Sequence, residues 1–172
     1  MRNVKIVADS SANLMGLKTV PFDVAPLKII TAEREFVDNR ELDLEEMINF
    51  FKSYKGRSQT SCPNPEDWLT AFGDAEDVFC VTITSGLSGS YNAACIAKDM
   101  YESEHPGRRV FVIDSLSAGP ELTLIVEKLE ELKMRYFLTI ANTGDDKNDF
   151  AYENVGNALD NAINIVKQEI NK

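Results

Sequence analysis

The sequence predicts an α/β fold: a three-layer sandwich around a mainly parallel sheet, with a small hairpin. Three observations carry this. Short apolar runs rich in β-branched residues, such as Val4–Ala8, Val78–Val81 and Val110–Ile113, recur along the chain. Between them lie longer segments whose apolar residues return every three or four positions, the alternation expected of strand–helix–strand units. The apolar runs are also continuous rather than alternating with polar residues, as in strands covered on both faces.

Taken in order, Val4–Ala8 is the first strand and ends in Asp9-Ser10-Ser11, short polar residues typical of a turn. Pro21 and Pro26 keep residues 20–30 from forming one regular central strand, because proline gives the ladder no donor. Leu27–Ile30, a turn at Thr31–Arg34 and then Phe36-Val37 read as a hairpin. Asp43 is placed to cap a helix with Leu44, Met47, Ile48 and Phe51 on one face. Residues 58–63 read as a polar loop. Asn64 then caps a second helix with Pro65 at its first position and Trp68, Leu69 and Phe72 as buried candidates.

The strand Val78–Val81 runs into a turn with two glycines and three serines at residues 85–90, and an alanine-rich helix follows. His105-Pro106-Gly107 turns into the strand Val110–Ile113, which ends at Asp114-Ser115. Gly119-Pro120 opens a helix striped with Leu122, Ile125, Leu129 and Leu132. Tyr136–Ala141 is a further strand candidate, Asn142–Asn148 a polar loop, and Tyr152, Val155, Leu159, Ala162, Val166 and Ile170 mark a last helix. Residues 1–172 are expected to form a single domain.

Ligands of parallel sheets collect beyond the carboxyl ends of the strands. Asp9-Ser10-Ser11, Thr84–Ser90, Asp114-Ser115 and Asn142-Thr143 all follow expected strands and are therefore expected along one edge. The serine–glycine turn is the focus, because free N–H groups and hydroxyls converge there at a helix N-terminus and form a ready anion site. A serine at that place also serves as an ordinary helix cap.

The totals exclude several functions. With 28 acidic and 18 basic residues, a net charge of −10 and no Lys/Arg cluster, nucleic acid and anionic membrane surfaces are poor partners. A small anion is still admissible, since net charge is screened over about 8 Å. Three cysteines without a C-x-x-C pair suit a reducing cytosol; Cys80 and Cys95 read as core and Cys62 lies in a polar turn. No run is long enough to span a bilayer and no transmembrane segment is expected, so the location is read as cytoplasmic. The single histidine, His105, falls at the opposite edge from the serine turn. That removes a Ser-His-Asp hydrolase and His-rich zinc sites. A carboxylate Mg²⁺ site on Asp9 and Asp114, with the enzyme it would imply, ranks behind a capping role for both. No phosphate-binding glycine loop of known pattern occurs. No catalytic residue, metal or cofactor is expected.

Six motifs bring a family into view: Asp9-Ser10-Ser11, Pro26-Leu27-Lys28-Ile29, Phe36-Val37-Asp38, Thr60-Ser61-Cys62-Pro63, Ser85-Gly86-Leu87-Ser88-Gly89-Ser90-Tyr91 and Asp114-Ser115-Leu116-Ser117-Ala118-Gly119-Pro120. In this order they closely resemble the DegV family of bacterial fatty-acid-binding proteins, over about residues 3–132. The resemblance implies one long-chain fatty acid, which some members present to a fatty-acid kinase. It implies that Thr60 and Ser88 hold the carboxylate, and Ser61, Ser85, Gly86, Gly89, Asp9, Ser10 and Ser115 complete the candidate ligand set. Family members run longer, with a second domain that covers the acyl chain and adds an Arg and a His near the carboxylate. No counterpart of its motifs is found, and residues 133–172 read as a terminal strand–helix unit outside the match. Two readings follow: a fatty-acid-binding protein, or a truncated DegV-like domain that no longer binds lipid and acts as an interaction or regulatory module.

Overall fold

The computed structural model describes residues 2–143. In chain order the elements are β1 (Val4–Asp9), a 3-10 turn (Ser10–Ala12), β2 (Phe22–Ala25), β3 (Lys28–Thr31), β4 (Glu35–Val37), α1 (Leu44–Ser53), β5 (Ser58–Ser61), α2 (Pro65–Phe72), β6 (Asp77–Thr82), α3 (Ser90–Glu104), β7 (Arg109–Asp114) and α4 (Pro120–Thr143). The main sheet has the order β2-β1-β6-β7, with every pair parallel. Strand side chains alternate between faces, so each apolar run serves two cores. Val7, Val78, Cys80 and Val110 meet Trp68, Phe72, Ala94, Ala97 and Tyr101 of α2 and α3 on one side. Ile6, Ala8, Val81 and Ile113 meet Leu122, Ile125, Val126 and Leu129 of α4 on the other. The result is the three-layer α/β sandwich that the sequence predicts.

The expected hairpin is β3 with β4, and both caps form. Asp43 accepts from the Glu46 amide at 2.9 Å, and Asn64 and Asp67 make a reciprocal capping box at the start of α2. Residues 58–61, expected as loop, are instead β5, an antiparallel partner of β3 with Thr60 opposite Ile29. Its polar residues give no alternation to read; the open edge of β3 supplies the backbone partners that make it a strand. Phe36 of β4 packs on Phe50 and Phe51 of α1, with ring centroids 5.2 and 5.5 Å apart. The start of the apolar face of α1 is not covered: Leu44 and Ile48 are 59% and 52% exposed.

The second correction lies near the end of the described chain. Tyr136–Ala141 continues α4 rather than forming a strand, and Asn142-Thr143 close that helix. Aromatic and β-branched residues favour a strand there, but no glycine or proline separates them from the stripe ending at Leu132, so nothing stops the helix. The remainder of the expected polar loop and the last helix from Tyr152 lie outside the described residues.

At the amino edge of the sheet, Asp77 is fully buried at the start of β6. Arg2 reaches it at 2.6 and 3.0 Å and Arg109 at 2.9 Å. Burial pushes its carboxyl up, but the two guanidinium groups outweigh this and leave it below the ordinary carboxylate value. His105 closes α3 at this edge, its ring centroid 5.0 Å from that of Tyr101.

Candidate functional site

Three of the candidate loops come together where β1, β6 and β7 end. Asp9, the last residue of β1, is fully buried. Its Oδ2 accepts from the Ile83 amide at 2.8 Å and from the Ser90 hydroxyl at 2.7 Å, while Oδ1 accepts from the Ser11 hydroxyl. One oxygen therefore ties both ends of the serine–glycine turn. Asp114, which ends β7, holds the same turn near its start, accepting from the Ser85 amide at 3.2 Å and from the Ser85 hydroxyl. The turn and the 114–117 loop are joined again by Thr84 N–H to Ser117 carbonyl at 2.9 Å. Three of the four expected strand ends thus share one edge, and Asn142-Thr143 follow no strand.

Most polar groups of the candidate set bond the protein itself. The Ser10 hydroxyl accepts from the Leu27 amide at 3.0 Å, and that of Ser61 donates to the Cys62 carbonyl at 3.1 Å. Ser115 is buried and exchanges hydrogen bonds with the backbone of Ser117. The Gly86 amide donates to Thr84 Oγ1. Ser88 is like Ser10 in that its oxygen accepts from an amide, that of Ser90 at 3.2 Å, which leaves the hydroxyl proton to give. Thr60 is exposed on β5. Thr60 Oγ1 and the Gly89 amide have no hydrogen-bond partner among the described residues. Gly89 caps α3 without a side chain, in ordinary helical geometry at φ −72°. A Cβ built on it would lie 3.3 Å from Cys62 Sγ, so the end of β5 meets the turn at this point.

This edge offers hydroxyl and amide donors suited to an anion's oxygens. Among the described residues no cluster of three or more His, Cys, Asp or Glu is set to hold a metal, and the oxygens of Asp9 already face three donors. Cys80 is buried as expected, with burial pushing its thiol well up, whereas Cys95 and Cys62 are half-buried. A cavity of about 370 Å³ opens beside β2, lined among others by Ser10, Pro26, Asp38, Arg40 and Asp67; Thr60 and Ser88 do not line it. Sequence reasoning missed Ser90, which is fully buried and bonded to Asp9. Its signal is a hydroxyl at the first position of a helix that begins beside an acidic strand end.

Sheet order, covered faces and polar loops gathered at the carboxyl edge define a parallel α/β domain of the kind whose ligands collect beyond the strand ends. The chain belongs to the DegV family: residues 3–135 match the family described as "Uncharacterised protein, DegV family". A DegV domain-containing protein of Streptococcus pneumoniae is 44% identical over 132 residues, which cover 74% of this chain and 47% of that protein. One from Streptococcus gordonii is 43% identical over the same shares. The chain thus spans about half the length of the curated relatives it matches. Among solved structures, a DegV family protein from Eubacterium eligens loaded with heptadecanoic acid is 37% identical with a TM-score of 0.78, covering 94% of this chain and 54% of that one. The Streptococcus pneumoniae Fatty Acid Kinase (Fak) B3 protein loaded with linoleic acid is 34% identical with a TM-score of 0.72, covering 96% and 53%. No helix among the described residues is long and apolar enough to cross a membrane.

Proposed function

We propose that the chain is the headgroup-holding domain of a cytoplasmic fatty-acid carrier. The hydroxyls of Thr60 and Ser88, with the Gly89 amide, take the carboxylate of a long-chain fatty acid. The observation that carries the reading is the distribution of hydrogen bonds at the carboxyl edge. Ser61, Ser85, Ser90 and Ser115 give their hydroxyl protons to the protein, while Thr60 and Ser88 keep theirs, as does Ser10, which is buried and lines the cavity beside β2. An ionised carboxylate brought out of water needs such donors, or its desolvation is prohibitive. The fatty acids carried by the Eubacterium eligens and Streptococcus pneumoniae structures support the same ligand class. The kinase in the second protein's name supports a role in presenting that carboxylate for phosphorylation. We read the protein as a binder rather than an enzyme, since Ser85 and Ser90 face carboxylates and the one imidazole is at the far edge.

A second reading is an interaction or regulatory module without lipid. It is favoured by Leu87 and Leu116, which stand 74% and 62% exposed on the two loops joined at the site. Native mass spectrometry and chromatography of the lipid extracted from purified protein separate the two. The carrier reading expects a co-purified acid or binding of added palmitate or oleate. It also expects Thr60→Ala and Ser88→Ala each to weaken that binding about tenfold or more, the weight of a hydrogen bond to a charged group. No acid and no binding would defeat it, and unchanged affinity in both variants would remove the assigned roles.

A further inference from the structure

Gly89 is not glycine for the sake of its backbone. Its φ of −72° and ψ of 0° are open to any residue. Nor does the start of α3 call for glycine, since Ser88, one residue earlier, already accepts from the Ser90 amide there. The steric reason is on the facing segment: Cys62 Sγ lies 3.3 Å from where a Cβ at position 89 would sit. Both partners are anchored. Cys62 stands between β5, paired to β3, and the buried Pro63 ahead of the capped start of α2. The turn before Gly89 is held at both ends by Asp9 and near its start by Asp114. Thr60 is two residues before the thiol, and Ser88 is the residue before the glycine.

We propose that the Cys62–Gly89 contact sets the separation of the Thr60 and Ser88 hydroxyls, making Cys62 a positioning residue for the carboxylate. The inference rests on the fatty-acid reading above and adds to it the device that tunes the headgroup site. Since neither segment can retreat freely, an added methyl at 89 pushes β5 and the turn apart by a few tenths of an ångström. Hydrogen bonds to one carboxylate from two hydroxyls lose strength together under such a shift.

The experiment is a double-mutant cycle on palmitate affinity, with thiol alkylation as a second measurement. Gly89→Ala is expected to weaken palmitate binding about tenfold, of which capping alone accounts for only a small part. Cys62→Ala removes the obstruction, so the double variant Cys62→Ala/Gly89→Ala should bind within about threefold of Cys62→Ala alone. In the ligand-free protein, Gly89→Ala should change the rate at which iodoacetamide modifies Cys62 while leaving Cys95 as it was, resolved by peptide mass mapping. Bound palmitate should protect Cys62. Equal penalties for Gly89→Ala with and without the thiol, or an unaltered Cys62 alkylation rate, would overturn the inference. A wild-type chain that binds no palmitate instead strikes at the fatty-acid reading itself. Gly89 is exposed and its helical geometry admits alanine, so the variant retains the fold, checked by its thermal midpoint.

Discussion

At the amino edge of the parallel sheet, Asp77 is met by two guanidinium groups; at the carboxyl edge, Asp9 is met by one amide and two hydroxyls. Both carboxylates are fully buried. The arginines around Asp77 keep about a third of their side-chain surface in water, at 36% and 32% exposed. That edge is a charge-matched clasp whose cations can turn to solvent if released. Two of the three donors around Asp9 have no such exit. Ser90 is fully enclosed, and the Ile83 amide is fixed by the end of β6. Neutral donors on a rigid frame are therefore the design principle of the edge where the candidate ligand residues gather, and charge pairing that of the edge opposite.

The two edges should respond differently to substitution. Asp9→Ala strands the half-buried Ile83 amide and the buried Ser90 hydroxyl and should cost about 2–5 kcal/mol in urea denaturation. Ser90→Ala removes one charge-assisted bond and leaves Asp9 its other donors, so about 1.5–3 kcal/mol is expected. Asp77→Ala should cost less than Asp9→Ala, about 1–2 kcal/mol, because Arg2 and Arg109 rehydrate. An equal or greater loss would erase the distinction between the edges.

The pH dependence tests the clasp separately. Asp77 has its folded pKa below its unfolded value near 3.8, so its contribution is fully present above that pH and lost as pH falls through the folded value. The stability gap between wild type and Asp77→Asn should accordingly be widest near neutrality and close in acid; a gap that widens in acid contradicts the charge account. The smallest effect belongs to Thr60→Ala. Its exposed hydroxyl bonds nothing among the described residues, so the denaturation midpoint should move by no more than about 0.5 kcal/mol.

Much of this fold was legible because its signals are local. β1, β6 and β7 declare themselves as continuous apolar runs, Asp43 and Asn64 as caps, and residues 27–37 as a hairpin. β5 was hidden because Ser58–Ser61 becomes a strand only by pairing with β3, about thirty residues earlier, and polar side chains carry no trace of that pairing. The end of α4 was misread because the β-propensity of Tyr136–Ala141 is weaker than the continuity of a helix with no breaker. At the site, the gathering of loops followed from topology, and the family resemblance singled out Thr60 and Ser88. Which serine bonds which aspartate did not follow, since Asp9 and Ser90 are 81 positions apart and only the folded chain joins them.

The oxygen that Asp9 shares between Ile83 and Ser90 also has a dynamic consequence. A loop pinned at one end can swing, but this one is fastened at entry and exit to the same atom, so it has no hinge of its own. Exchange of the Ile83 amide with deuterium should then wait for the opening of the domain's most protected strands rather than follow the fast clock of a surface loop.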